Sequence, residues 1–214
     1  MVRVMGADTT RGGGPSTFDR LADAAISLIA RDGLTALSVR RVAAEASLSG
    51  GTVQHHFPTK DHLTVAAFDR AVRRQSERVA DVPRSEQRVV EHFVAELCAI
   101  LPDSDPSIEE AIVWIAMAAA VPTHPVVAER QRQAVTPTRQ WMQVSIVEAQ
   151  AAGELAATLD PIQTAPMIEA ALDGMMQQII VQPDLRGDRG CRRLTIMVER
   201  LLRVDGMLGA DATA

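Results

Sequence analysis

Residues 34–63 read LTALSVRRVAAEASLSGGTVQHHFPTKDHL, two short helix signals, a tight turn and the start of a third helix within thirty residues. Ser38 is placed to cap the first helix, because a serine oxygen takes up backbone N–H groups that have no partner inside the helix. Leu37 before the cap and Val42 after it have the spacing of a hydrophobic staple. Val39, Val42, Ala43 and Ala46 then turn inward. Ser47-Leu48-Ser49 makes the turn. Ser49 caps the second helix, and Leu48 with Val53 repeats the staple. Val53 and Phe57 point inward, which leaves Thr52, Gln54, His55 and His56 facing out. Pro58 stops this helix, and Thr59 caps the next with Lys60 and Asp61 in its first turn. Two short helices across a three-residue turn are the pattern of a helix-turn-helix, whose second helix enters the major groove of DNA.

Arg40 and Arg41 fall in the first turn of their helix, where the helix dipole already places positive charge. An external anion resolves that conflict, and a DNA phosphate is the natural one. Phosphate clamps are therefore expected at Ser38, Arg40 and Lys60. Base-reading contacts are expected from Gly51 (by close backbone approach), Thr52, Gln54 and His55. Ser49 shapes the start of the reading helix. Gln54 has both a donor and an acceptor for adenine N6 and N7.

Outward from this stretch the chain reads as helix after helix. Ser16 or Thr17 opens a first helix with Phe18, Leu21, Ala25, Leu28 and Ile29 on one face, and Gly33 closes it. After Thr59 a long stripe of Leu63, Ala66, Ala67, Ala71, Val72 and Val79 follows, with Arg70, Arg73, Arg74 and Arg78 expected in solvent. Further helices are expected over about 85–101, 107–121, 126–152, 161–182 and 188–204, separated by prolines and Gly153. Asp160-Pro161 is a cap with proline at the first helical position. No segment alternates with a period of two. The expected fold is all-α, with about nine helices. Residues 1–15 read as a disordered arm, 16–62 as the helix-turn-helix domain, 63–208 as a second helical domain and 209–214 as a tail.

Of the 214 residues, 47% are hydrophobic and 23% charged, and the net charge is −5. An acidic total by itself disfavours nucleic acid, but residues 1–80 carry 11 Lys/Arg against 8 Asp/Glu, and residues 81–214 carry 11 against 19. The first part is positive, and the acidic excess lies elsewhere. The longest apolar run, Ile112 to Val121, is too short to cross a membrane. With no leader signal in the first residues, a cytoplasmic protein is expected. Cys98 and Cys191 have no metal-ligand spacing and suggest no disulfide framework, so two small buried thiols are expected. No metal and no cofactor is expected. His55, His56 and His62 are poorly placed for chelation, since adjacent helical residues point about 100° apart. Nucleophile elbows and complete phosphate loops are missing from the sequence, which disfavours an enzyme.

On Thr35, Leu37-Ser38-Val39, Val42-Ala43, Ala46, Leu48-Ser49, Gly51-Thr52-Val53, His56-Phe57, Lys60 and Leu63, residues 17–65 resemble the DNA-binding domain of the TetR family of transcriptional repressors. Gly153-Glu154-Leu155, Asp160-Pro161 and Asp173-Gly174-Met175 followed by Pro183 resemble its ligand-and-dimer domain in the BetI-like branch. The family usually has glycine where Ser47 stands and tyrosine where Gln54 stands. The resemblance implies a homodimer on a palindromic operator in double-stranded DNA, released by a small-molecule effector, here a largely apolar one. His56 matches a position that often contacts phosphate. The implied pocket draws on Phe68, Phe93, Leu97, Trp114, Met117, Val121, Trp141, Met142 and Met175, with His124 and Gln178 as polar anchors. The expected dimer seam is Ile168, Leu172, Met176, Ile179, Leu194, Met197, Val198 and Leu201, with Met175 on the same stripe as the first four. The alternative is a helical small-molecule-binding protein that has lost sequence-specific DNA binding.

Overall fold

The computed structural model describes residues 16–84 and 88–203; the expected arm and the expected tail lie outside them. Among the described residues there are nine α-helices: α1 (Thr17–Asp32), α2 (Val39–Glu45), α3 (Gly50–His56), α4 (Lys60–Ala80), α5 (Val89–Ile100), α6 (Asp105–Ala120), α7 (Pro125–Ala151), α8 (Pro161–Val181) and α9 (Asp188–Arg203). Two short 3-10 turns, Leu34–Ala36 and Pro183–Leu185, were not expected. The fold is all-α. The described residues divide into two compact units, 16–71 with 112–131, and 72–84 and 88–111 with 132–203. No helix among the described residues is long and apolar enough to cross a membrane.

In the first unit α1 buries Leu21, Ala22, Ala25, Ile26, Leu28 and Ile29. Phe18, expected on this inner face, is instead 40% exposed. Its ring lies 4.9 Å from that of Phe57, at the edge of the core. Gly33 closes α1 at φ 80°, the left-handed region that a residue without Cβ enters freely. Val42, Val53, Leu63, Ala67 and Phe68 complete this core. Arg70, expected in solvent, is half-buried and pairs with Asp19 and Asp23 at 3.3 and 2.9 Å. That contact fixes α4 on α1.

In the second unit α8 packs on α9, and α9 also packs on α5. Glu154 reaches back over 65 residues to cap α5, accepting from the Val89 and Val90 N–H groups at 2.8 and 3.0 Å. Those backbone hydrogen bonds hold its carboxyl below the ordinary value. Arg74 and Arg78, also expected in solvent, converge on the buried Glu110 at 3.5 and 2.6 Å. Pairing of this kind offsets the cost of taking a carboxylate out of water.

Two expectations are corrected here. Cys98 and Cys191 are not free thiols: they form a disulfide between α5 and α9, across 93 residues of sequence. Short spacing gives metal and redox motifs a local signature, and a pair this far apart has none. The second correction concerns the expected seam. Ile168, Leu172, Met176, Ile179, Leu194 and Val198 are all buried within the chain, where α8 and α9 cover each other's apolar stripes. They leave almost no surface to lose on association. Of that set only Met197 is exposed and Leu201 half-exposed.

Candidate nucleic-acid interface

Ser38 caps α2 as the sequence implies, its hydroxyl accepting from the Arg41 N–H at 3.3 Å. Ser49 caps α3, accepting from the Thr52 N–H at 3.1 Å. Between the helices the turn closes with two hydrogen bonds, from the Ser47 N–H to the Ala44 carbonyl at 3.2 Å and from the Leu48 N–H to the Ala43 carbonyl at 2.9 Å. This is the Schellman arrangement, which requires a left-handed residue just past the helix end. Ser47 takes that role at φ 54°, as the one non-glycine residue with positive φ among the described residues. Left-handed backbone costs an L-residue about 1–2 kcal/mol, and glycine escapes it at some cost in unfolded-chain entropy. Ser47→Gly is therefore expected to stabilise the chain by roughly 0.5–1 kcal/mol, read from urea unfolding. A loss of stability would show that the serine side chain contributes more than its backbone costs.

Three contacts from α1 hold α2, none of them legible beforehand. Arg31 grips Glu45 with two hydrogen bonds, 2.9 and 3.3 Å. Arg20 donates to the Ala46 carbonyl at the α2 end, at 3.1 Å. Arg41 pairs with Asp32. The last contact corrects the idea that both first-turn arginines await an external anion, since Asp32 already supplies one to Arg41. Partial burial opposes ionisation of Asp32, but the hydrogen bonds from Arg41 and Arg31 more than offset it and hold its carboxyl below the ordinary value. The hydrogen bond from Arg31 does the same for Glu45. Arg40 remains exposed at the start of α2.

On α3, Val53 is fully buried and Phe57 nearly so, so the helix is held by one side. Gly51, Gln54 and His55 are exposed, while Thr52 and His56 are half-buried. The Thr52 hydroxyl is engaged with Ser49 Oγ at 2.8 Å, which fixes its rotamer and leaves its methyl free to meet a base. His56 lies edge-on to Phe18, with ring centroids 6.4 Å apart. Neither glycine of α3 is required by the chain's own packing. A Cβ at Gly50 would meet nothing within 4 Å, and one at Gly51 only Ser49 Oγ at 3.7 Å. Glycine is the poorest helix former after proline, and at the first two positions of α3 that cost is smaller than in a helix interior. The room they leave lies outside the protein. Lys60 is exposed, but its Nζ donates to the Thr35 carbonyl at 3.0 Å. An ammonium has three donors, so that bond fixes its position without using it up.

The residues expected to line a pocket fall into two groups. Phe68, Trp114, Met117 and Val121 belong to the first unit, where Phe68 and Trp114 stack at 5.4 Å. Phe93, Leu97, Trp141, Met142 and Met175 belong to the second, where Phe93 and Trp141 meet edge-on at 5.4 Å. Beside that second pair sits a polar cluster the sequence did not reveal. Glu96 lies 3.4 Å from His92 and accepts from Trp141. Burial pushes its carboxyl up. His92 Nδ1 is buried without a hydrogen-bond partner. The expected anchors His124 and Gln178 are both exposed, and His124 Nδ1 is bonded to Thr123 at 2.8 Å.

A capped pair of short helices, the second anchored on one side and open on the other, defines a helix-turn-helix DNA-binding protein. Residues 21–67 match the bacterial regulatory proteins of the tetR family, and residues 89–203 match the C-terminal part of BetI-type transcriptional repressors. The chain belongs to the TetR family, whose members are DNA-binding regulators rather than enzymes. It is 29% identical over 100 residues to the HTH-type transcriptional regulator PksA of Bacillus subtilis, covering 47% of this chain and 49% of that one. It is 36% identical over 64 residues to the HTH-type transcriptional repressor KstR of Rhodococcus jostii, covering 30% of each. The matched stretch thus spans about half the length of the first relative and less of the second. A transcriptional regulator from Rhodococcus sp. RHA1 superposes with a TM-score of 0.76 at 28% identity, over 87% of this chain and 96% of that one. The same fold occurs in a Saccharomonospora viridis protein solved with choline, with a TM-score of 0.70 at 24% identity, over 86% and 92%.

Proposed function

We propose that this chain is a ligand-responsive transcriptional regulator, a repressor that holds a palindromic DNA operator as a homodimer in the cytoplasm and leaves it when a small molecule binds. One observation carries the reading: α3 presents Gly50-Gly51, Gln54 and His55 outward, and the two glycines have no role in the chain's own packing. Close approach of a DNA backbone is the role that remains. Arg40, Lys60, Ser38 and His56 are assigned to phosphates, and Gly51, Thr52, Gln54 and His55 to base edges.

The dimer surface is assigned to what α8 and α9 leave uncovered. Met167 and Val181 on α8, and Ile196 and Met197 on α9, are exposed apolar side chains. Between the first two, Ala170, Ala171 and Gly174 keep the helix thin enough for a close neighbour. The effector site is assigned to the second unit, around Phe93, Leu97, Trp141, Met142 and Met175. With Glu96 and His92 beside the rings, the ligand is expected to be mostly apolar with one polar or cationic group. The choline held by the Saccharomonospora viridis protein is a precedent for a cation on this fold.

The test is fluorescence anisotropy with DNA from the region upstream of this gene and of its neighbours. Lys60→Ala is expected to weaken binding about equally on all sequences and to lower the salt slope by roughly one. Gln54→Ala is expected to cost about 1–3 kcal/mol on the operator and much less on unrelated DNA. Failure to bind any such fragment would end the reading. A Gln54→Ala loss equal on all sequences would move that residue to the phosphates.

A further inference from the structure

Cys98 and Cys191 are bonded to each other, and no other cysteine occurs in the chain. The bond ties the first helix of the BetI-type segment to its last, α5 to α9. Both residues are half-buried rather than sealed in the core. Three facts bear on what such a bond does. A regulator that binds DNA works in a compartment kept reducing, where protein disulfides are rare and are usually transient and redox-sensing. The second unit buries Phe93, Leu97, Met142, Ile146, Ile168 and Leu172 among others, a core of a size that folds without a covalent staple. Cys191 lies one turn into α9, near the positive end of the helix dipole and followed by the exposed Arg192 and Arg193, while Arg189 is paired with Asp184 at 3.0 Å and Asp188 opens the helix.

We propose that Cys98 and Cys191 form a reversible thiol–disulfide switch that responds to hydroperoxides and sets how tightly the dimer holds its operator. The inference rests on the DNA-binding reading above. In the oxidising direction the Cys191 thiolate attacks a peroxide oxygen, the O–O bond breaks, and a cysteine sulfenic acid and one water or alcohol result. The Cys98 thiol then attacks that sulfur, the disulfide forms, and water leaves. The two thiols give up two electrons and two protons, and the peroxide accepts them. A cellular dithiol reverses the step by exchange. The bond holds α9 on α5, and the exposed apolar face assigned to the dimer lies on α8 and α9. With the bond open, association has to freeze out the extra freedom of α9, so the reduced protein is expected to dimerise and to bind its operator more weakly.

The experiment uses the full chain at a cytosol-like ratio of reduced to oxidised glutathione, and again after hydrogen peroxide. Thiols are trapped by alkylation and counted by mass spectrometry. Operator affinity and dimerisation are measured on the same samples. The chain is expected to be reduced in the first condition and bonded in the second, and to bind roughly three- to tenfold more tightly when bonded. Cys98→Ser, Cys191→Ser and the double alanine variant are each expected to fold, to bind like the reduced protein and to ignore peroxide. A bond that persists at the cytosol-like ratio would make it a fixed staple and overturn the proposal. So would equal affinity of two cleanly interconverted forms. Operator binding absent in both forms would overturn the DNA reading, and this inference with it.

Discussion

Phe68→Ala is expected to cost about 3–5 kcal/mol of unfolding free energy, the usual range for removing a buried aromatic side chain. The expectation follows from where the ring sits. Phe68 is 0% exposed, stacks on Trp114 at 5.4 Å with an interplanar angle of 23°, and carries the Arg130 guanidinium 5.6 Å above its centroid. Arg130 is held in turn by Asp69, the next residue on α4. Truncation therefore removes packed area, an aromatic pair worth about 0.5–1.5 kcal/mol beyond that area, and the surface on which Arg130 rests. Two roles are separated by this variant. A residue of the core leaves a void that its neighbours fill only in part. A residue lining a ligand site faces space that is already there, and its loss mainly changes affinity. Urea unfolding decides between them. A loss below about 1 kcal/mol would return Phe68 to the pocket wall, and Phe68→Leu, which keeps most of the volume, is the control expected to cost less than about 1.5 kcal/mol.

The parts of this protein that were legible beforehand are those whose causes lie within a few residues of one another. Ser38 and Ser49 cap the helices that follow them because the bond each makes spans three positions. Leu37 with Val42, and Leu48 with Val53, span five. A turn of this kind is written in the order of its residues. The same holds for Asp160, whose side chain accepts from the Ile162 N–H at 2.8 Å. What stayed hidden depends on residues that only folding brings together. Glu154 caps a helix that begins 65 residues before it. Arg31 and Glu45, Lys60 and the Thr35 carbonyl, and Arg78 and Glu110 are all pairs of this type. In sequence nothing near Arg31, Lys60 or Arg78 points to the partner that folding gives it. The apolar stripes of α8 and α9 were visible, but a stripe states only that something covers it. Here the two helices cover each other, and what they leave exposed are the residues between the stripes. The disulfide is the extreme case, since nothing near either cysteine points to the other. At the DNA interface the outward set on α3 was legible from period and caps. That Arg41 is already paired with Asp32, and that the Thr52 hydroxyl is bonded to Ser49, was not.

Gly190→Ala is expected to destabilise the chain by about 2–3 kcal/mol, against the direction that helix propensity alone would give. Gly190 lies in the first turn of α9 and is buried. Alanine is favoured over glycine in a helix by about 1 kcal/mol, so an open site would gain from the change. This site is not open. A Cβ would stand 2.5 Å from the Leu185 carbonyl oxygen and 3.0 Å from Ile179 Cδ1. The second contact is the end of a side chain that can turn away at modest cost. The first is backbone in the 3-10 turn Pro183–Leu185, which joins α8 to α9 and is fixed by the buried Leu185. To admit the methyl group the start of α9 has to move away from that turn, and overpacking of this kind typically costs 1–3 kcal/mol. The movement would also shift Ile196 and Met197, about two turns along, on the face assigned to the dimer. Gly190→Ala is thus expected to weaken dimerisation as well as folding, measured by sedimentation and by urea unfolding. Adding Ile179→Val separates the two contacts, since it relieves the side-chain clash and leaves the carbonyl in place. The double variant is expected to recover only a minor part of the loss, and full recovery would show that the backbone contact is not what keeps this position glycine.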